Sequence, residues 1–330
     1  MKNKLLFLPV IVITVLFLAS CGNGTKKDGD TKKDTVVQMN VPAFNADTAY
    51  YFVKRQVDFG PRNMGSKAHD NCARYFEQTF KKYTKNVTVQ NGRVTTFDGK
   101  TFPMQNIIAS FNPDNQNRIF ICSHWDSRPF ADQDPDVKNH TKPIDGANDG
   151  ASGCGIILEL ARMLSVSKVK IGVDLIMLDA EDYGQPEKST YPPKEDTWGL
   201  GSQYWSKNPH KPNYQARFGI LLDMVGATSA TFGKEGFSQY YAPDIVTKVW
   251  SAAARSGFGD YFIMDNTNEI TDDHYYINTI RKIPTIDIIQ QTPTGFNKTW
   301  HTLSDNISGI DRATLKAVGQ TLLAVIYSEN

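Results

Sequence analysis

The stretch IGVDLIMLDAEDYG, residues 171–184, opens as an apolar run and then places Asp179, Glu181 and Asp182 within four residues. A near-continuous apolar segment such as VDLIML fits a strand covered on both faces, as in a parallel or mixed sheet. Neighbouring carboxylates repel, so a strand end that gathers them needs a cation or a shared proton. Adjacent side chains on a strand diverge, which lets Glu181 and Asp182 face different partners.

Working outward, short apolar runs bounded by turn or charged residues predict further strands at 87–89, 106–111, 119–122, 173–178, 219–224 and 283–289. Helical periodicity predicts helices from about 45 to 60, then 67–83, 153–164, 202–208, 242–256, 273–278 and 309–328. Strands alternating with helices place the chain in the α/β class: a single domain over 41–330, with a mixed, mostly parallel central sheet and helices on both faces. In such sheets, sites collect where strands deliver their C-terminal ends to loops. Here those ends carry His124 and Asp126, then Asp179 to Asp182, then Asp223, while the strand ending near 290 leads to Trp300 and His301.

The chain has 330 residues, 40% of them apolar, enough for a substantial core. Its 36 basic and 35 acidic residues leave a formal charge of +1, so nothing in the balance points to nucleic acid. Residues 1–20 place two lysines before an apolar run and end in small residues, the layout of a secretory signal peptide. The sequence LASCG at 18–22 resembles a bacterial lipobox, which implies acylation of Cys21 and a tethered domain: an exported periplasmic or cell-surface lipoprotein of a Gram-negative bacterium, anchored to its membrane. Residues 21–40 are polar and charged and read as a flexible linker. Of the remaining cysteines, Cys122 and Cys154 are open to two readings, a disulfide in an exported protein or buried thiols.

Imidazole and carboxylate are zinc ligands, and a catalytic zinc keeps three protein ligands and an open position. The candidates are His124, Asp126, Asp149, Glu181, Asp182, Asp223, Asp272, Asp273, His274 and His301. In order along the chain, SHWDSRP, DGANDGASGCGIILELARML, LIMLDAEDYG, LGSQYW, LLDMVGA, TDDHYYI and WHTLSDNISGID resemble the zinc-dependent aminopeptidase-like superfamily, most closely its glutaminyl cyclases.

That resemblance implies zinc ligation by Asp149, Asp182 and His301. It implies a general acid/base at Glu181 with Asp223 and Asp272 completing an acidic hydrogen-bond network, and a substrate pocket near Trp198 and Trp300. Tyr183 and Tyr191 are alternatives to Trp198, because the loop at 185–197 differs from the family's in length and composition. Asp182 stands where many relatives carry glutamate. The activity implied is cyclisation of an N-terminal glutamine of peptides and proteins to pyroglutamate with release of ammonia, using one zinc ion. The alternative is an aminopeptidase holding a second zinc on His124, Asp149 and Asp223.

Overall fold

The computed structural model describes residues 41–292 and 295–329. The expected signal peptide, Cys21 and the linker therefore lie outside the described residues. From the N-terminus, α1 (Ala46–Val57) is capped by Asn45, whose side chain accepts from the Thr48 amide, and α2 (Lys67–Tyr83) by Ser66, which accepts from the His69 amide. The order continues β1 (Val87–Thr95), β2 (Thr101–Phe111), β3 (Arg118–His124), α3 (Ala151–Val166), β4 (Gly172–Leu178), α4 (Leu200–Lys207) and β5 (Gly219–Asp223). It closes with β6 (Phe232–Lys234), α5 (Gly236–Tyr241), α6 (Pro243–Arg255), β7 (Phe262–Asn266), α7 (Asp273–Tyr276), β8 (Thr285–Ile289) and α8 (Arg312–Ser328).

Six strands form the central sheet in the order β1-β2-β4-β3-β5-β8. The β1/β2 and β2/β4 pairs are antiparallel, whereas β4/β3, β3/β5 and β5/β8 are parallel. The sheet is thus mixed and mostly parallel, as the apolar strands implied. Strand alternation splits the core: Ile119, Ile121, Val173, Leu175, Ile220 and Leu222 face one cluster, and Phe120, Cys122, Ile176, Leu178 and Leu221 the other. Helices α1, α2, α3, α6 and α8 contribute to the first cluster, and Trp205 of α4 to the second.

This alternation decides the cysteine question. Cys122 points into the second cluster while Cys154, on α3, belongs to the first. Cys72, Cys122 and Cys154 are free buried thiols, and the Cys122–Cys154 bridge entertained from sequence does not form.

One acid sits inside the sheet. Asp174, fully buried on β4, accepts from Arg118 Nε at 2.7 Å and Nη2 at 3.0 Å, from Ser110 Oγ at 2.6 Å and from the Tyr214 hydroxyl at 2.7 Å. Burial opposes its charge, but the Arg118 guanidinium and the two hydroxyls outweigh it and hold the carboxyl below its ordinary range. A carboxyl depressed on folding contributes stability above its unfolded value, near pH 4, and loses it as pH falls toward the folded value. Urea unfolding at pH 7 and pH 3.5 is therefore expected to show a steeper acid loss for the wild type than for Asp174→Asn. Equal slopes would count against this role.

Candidate active site

The C-terminal ends of β3, β4 and β5 and the loop before α8 converge on one pocket. At the end of β4 the chain turns through Ala180, in the left-handed region at φ 58°. The Glu181 and Asp182 amides then donate to the two oxygens of Asp126 at 3.0 and 3.1 Å, so Asp126 clamps the turn. Asp179 points away from the pocket, pairing with His69 Nε2 at 2.8 Å and accepting from the Gln105 amide at 2.7 Å, a structural role.

Asp149 lies just before α3, where Gly150 adopts φ 36° and a Cβ would fall 2.4 Å from the His124 carbonyl oxygen, so only glycine fits. Two supports hold this loop. Asp305 accepts from the Asn148 and Asp149 amides at 2.8 and 3.1 Å. Arg62, fully buried, donates to the carbonyls of Trp125, Asp145 and Gly146 at 3.0, 2.6 and 2.8 Å. Met224 after Asp223 (φ 49°) and His301 itself (φ 52°) are also left-handed, so three corners of the site are strained.

Asp149, Asp182 and His301 offer ligand atoms that all lie within 4.8 Å of one another, and all three side chains are buried. His301 Nε2 is 3.2 Å from Asp182 Oδ1 and 3.6 Å from Asp149 Oδ2. Metal–ligand bonds of about 2.0–2.2 Å in a tetrahedron separate the donors by roughly 3.3–3.6 Å, so the spacing fits zinc. Asp149 Oδ2 and both Asp182 oxygens have no hydrogen-bond partner, a costly state in a buried site unless a cation meets them. Burial and the Asp149 charge push the Asp182 carboxyl up to about 6. His124, Asp149 and Asp223 form a second such group. There, however, His124 Nε2 lies 3.1 Å from both Asp149 Oδ1 and Asp223 Oδ1, an ion pair that already engages the donors.

Glu181, Asp223 and Asp272 line a cavity of about 180 Å³ together with Asp149, His301, Trp198, Trp300, Phe296, Ile270 and Ile289. Burial lifts Glu181 well above the usual carboxylate range; His124 opposes this, and the charges of Asp182, Asp272 and Asp273 add to it. Asp223 is pushed up to about 7, with burial outweighing its His124 partner. Asp272 caps α7 through the Asp273 amide, and its carboxyl is likewise raised by burial. The arrangement offers a cation site beside Glu181, a carboxyl raised above the usual carboxylate range and so able to take up and return a proton.

Of the three aromatics left open by the sequence, Trp198 lines this cavity. Its ring is stacked 6.0 Å from that of His301, and Gly184 makes room for it, since a Cβ there would fall 1.9 Å from the indole. Tyr183 instead joins a cluster with Met64, Phe97 and Met104, while Tyr191 lines a wider cavity of about 610 Å³ that shares Trp198 and Thr271 with the first. Trp300 stacks on His301 at 3.8 Å.

Sequence reading passed over Arg62, Arg128, Asp132, Glu235, Asp287 and Asp305. Asp287 carried a signal, a carboxylate within the apolar run TIDII; it is fully buried beside His274, whose Nε2 pairs with Glu235 at 2.9 Å. Asp132 and Arg128 sit in a polar loop segment, SRPFADQD, whose composition does not set them apart.

The profile of peptidase family M28 matches residues 106–326. The crystal structure of Bacteroides thetaiotaomicron glutaminyl cyclase bound to N-acetylhistamine is 52% identical, with a TM-score of 0.87 over 88% of this chain and 100% of that one. A Zn-dependent exopeptidase from Parabacteroides distasonis is 51% identical, with a TM-score of 0.86 over 87% of this chain and 99% of that one. The glutaminyl-peptide cyclotransferase of Bothrops jararaca is 26% identical over 262 residues, 69% of this chain and 66% of that protein, so the match spans about two thirds of that relative's length. The chain belongs to peptidase family M28 and, inside it, to the group that contains the bacterial glutaminyl cyclases.

Proposed function

We propose that the protein is a zinc-dependent glutaminyl cyclase, closing the N-terminal glutamine of peptides and proteins into pyroglutamate and releasing ammonia. The observation that carries this reading is the division of donors in the site. Asp149 Oδ2 and both Asp182 oxygens are unpartnered around His301, whereas His124 is engaged by Asp149 and Asp223. One ion on Asp149, Asp182 and His301 accounts for the unpartnered atoms, and the similarity to a glutaminyl cyclase agrees with it.

Asp149, Asp182 and His301 would hold a zinc ion, which would supply Lewis-acid polarisation of the γ-carbonyl. The α-amine nitrogen forms a bond to the γ-carboxamide carbon, and the bond from that carbon to the amide nitrogen breaks. Glu181, held at the cavity wall by the Asp126 clamp on its amide, takes the proton shed by the attacking amine and returns it to the leaving nitrogen as ammonia departs. Asp223 and Asp272 share the cavity with Glu181 and keep its carboxyl in an acidic, proton-sharing environment. Trp198, Trp300 and Phe296 wall a volume of about 180 Å³, suited to one glutamine side chain, and limit water that would hydrolyse the amide. The rest of the peptide leaves through the wider cavity beyond Trp198 and Thr271 and is read loosely.

One observation favours a second reading, an aminopeptidase with two zinc ions: His124, Asp149 and Asp223 lie close enough to hold another metal. Metal analysis and product assay separate the two. One zinc per chain, with ammonia and no free amino acid released from a Gln-peptide, is the expected result. Two zinc ions with liberated N-terminal residues would establish the peptidase.

The same reading places the enzyme outside the cytoplasm, as a lipoprotein held through Cys21 and the segment 21–40, periplasmic or at the cell surface. The lipobox-like LASCG supports it. Radiolabelled palmitate that enters the wild type and not Cys21→Ser is the matching test.

A further inference from the structure

The His301 ring has a second nitrogen. While Nε2 faces Asp182 and Asp149, Nδ1 is buried without a hydrogen-bond partner and lies 3.4 Å from Asp132 Oδ1. Asp132 is held by a two-pronged pair: Arg128 Nε donates to its Oδ1 at 2.7 Å and Nη2 to its Oδ2 at 2.9 Å. Arg128 is fully buried, and its remaining arm, Nη1, reaches the carbonyls of Asp182 at 3.1 Å and Gly184 at 3.3 Å. The guanidinium carbon also sits 4.6 Å from the centre of the Trp198 ring. The loop that carries Asp132 is fastened to the His301 segment by its backbone, with the Gln133 amide donating to the His301 carbonyl at 3.2 Å and the Leu303 amide to Asp134 Oδ2 at 3.1 Å.

An imidazole that binds a cation through one nitrogen must carry its proton on the other, and a carboxylate accepting that proton fixes both tautomer and ring orientation. Building on the metal reading above, we propose that Asp132 is a positioning residue that accepts the Nδ1 proton of His301 and aims Nε2 at the metal, with Arg128 locking Asp132 in place. Arg128 then joins three parts of the site: the carboxylate behind His301, the backbone of Asp182, and the Trp198 wall. A lysine cannot replace it, because one ammonium cannot grip both oxygens of Asp132 and stack on the indole as well. Asparagine at 132 keeps the size of the side chain but turns an NH2 group toward either Arg128 or His301, where an acceptor is required.

The inference is tested by zinc affinity, measured by competition with a chromophoric chelator on wild type and Asp132→Asn, with the melting temperature of each metal-free protein as the check on folding. The expected result is a ten- to hundredfold weaker affinity at a melting temperature within a few degrees of wild type. Unchanged affinity in Asp132→Asn beside tight wild-type binding would overturn this inference and leave the metal reading standing. A wild type that binds no zinc would overturn both. If the variant does not fold, nitrogen-15 histidine spectra of the zinc-loaded wild type decide. A slowly exchanging, downfield Nδ1 proton on His301 supports the pairing with Asp132, and one in free exchange with water overturns it.

Discussion

Replacing Glu181 with glutamine is expected to lower kcat for a Gln-peptide by about 10²–10⁴-fold, the range for removing a general acid/base, while zinc content and melting temperature stay at wild-type values. The substitution keeps size and shape and retains the amide that Asp126 accepts at 3.0 Å, so the Asp182 turn is undisturbed. What disappears is the ability to take a proton at one moment and return it the next. Glu181 is also the acid of the cavity whose neighbours most resemble a tuned site, because burial and the charges of Asp182, Asp272 and Asp273 lift it toward the working pH. Ammonia release and metal analysis on one preparation are the measurements. Turnover surviving in the variant would move the proton transfer to Asp223 or Asp272.

Arg62→Met is expected to destabilise the domain by about 3–5 kcal/mol, because it strips donors from the buried carbonyls of Trp125 and Gly146, which each cost about 1–3 kcal/mol when unpaired, and from the half-buried carbonyl of Asp145. The side chain is 0% exposed, so water cannot take over its bonds to Trp125 and Gly146. In a domain of this size the melting temperature should fall by roughly 10 °C. Zinc affinity should fall with it, since the loop held at Asp145 and Gly146 leads directly into Asp149. Denaturant unfolding of metal-free and zinc-loaded protein measures both. A stable variant would mean that Asp305 alone suffices to hold that loop.

Much of the fold was legible because its elements have strong local signals. The helix at 67–83 has a serine cap and regular apolar spacing, and the parallel strands are mostly apolar runs. The hairpin of β1 and β2 was read too short, at 87–89 and 106–111, because on this sheet edge the polar Gln90, Asn91, Arg93 and Gln105 break the apolar pattern. The β6/β7 pair was missed because three- and five-residue strands carry too little periodicity to register. The expected helix at 273–278 is a single α-turn that widens into a π-type turn over Ile277–Arg281, closed by left-handed Lys282.

In the site, the acids and the histidine that line the cavity were legible, standing among those the sequence marks at strand ends and loops, although Asp126 and Asp179 at the same strand ends brace the backbone instead. The other residues that hold the site in place were not. Arg62, Asp305, Arg128 and Asp132 act across 54 residues or more, as in Arg128 to Asp182 or Asp149 to Asp305, or within a polar loop where one more charge is unremarked. Their partners are mostly backbone atoms, which leave no trace in composition.

Ala180, Met224 and His301 each adopt a backbone conformation that an isolated chain would abandon for an extended one. Neighbours along the chain do not impose it; the surrounding sheet edge does. The donor set is accordingly an all-or-none property of the folded domain: a fragment, or a chain that has opened at this edge, would not retain a weaker copy of the site but would lose it at all three corners together.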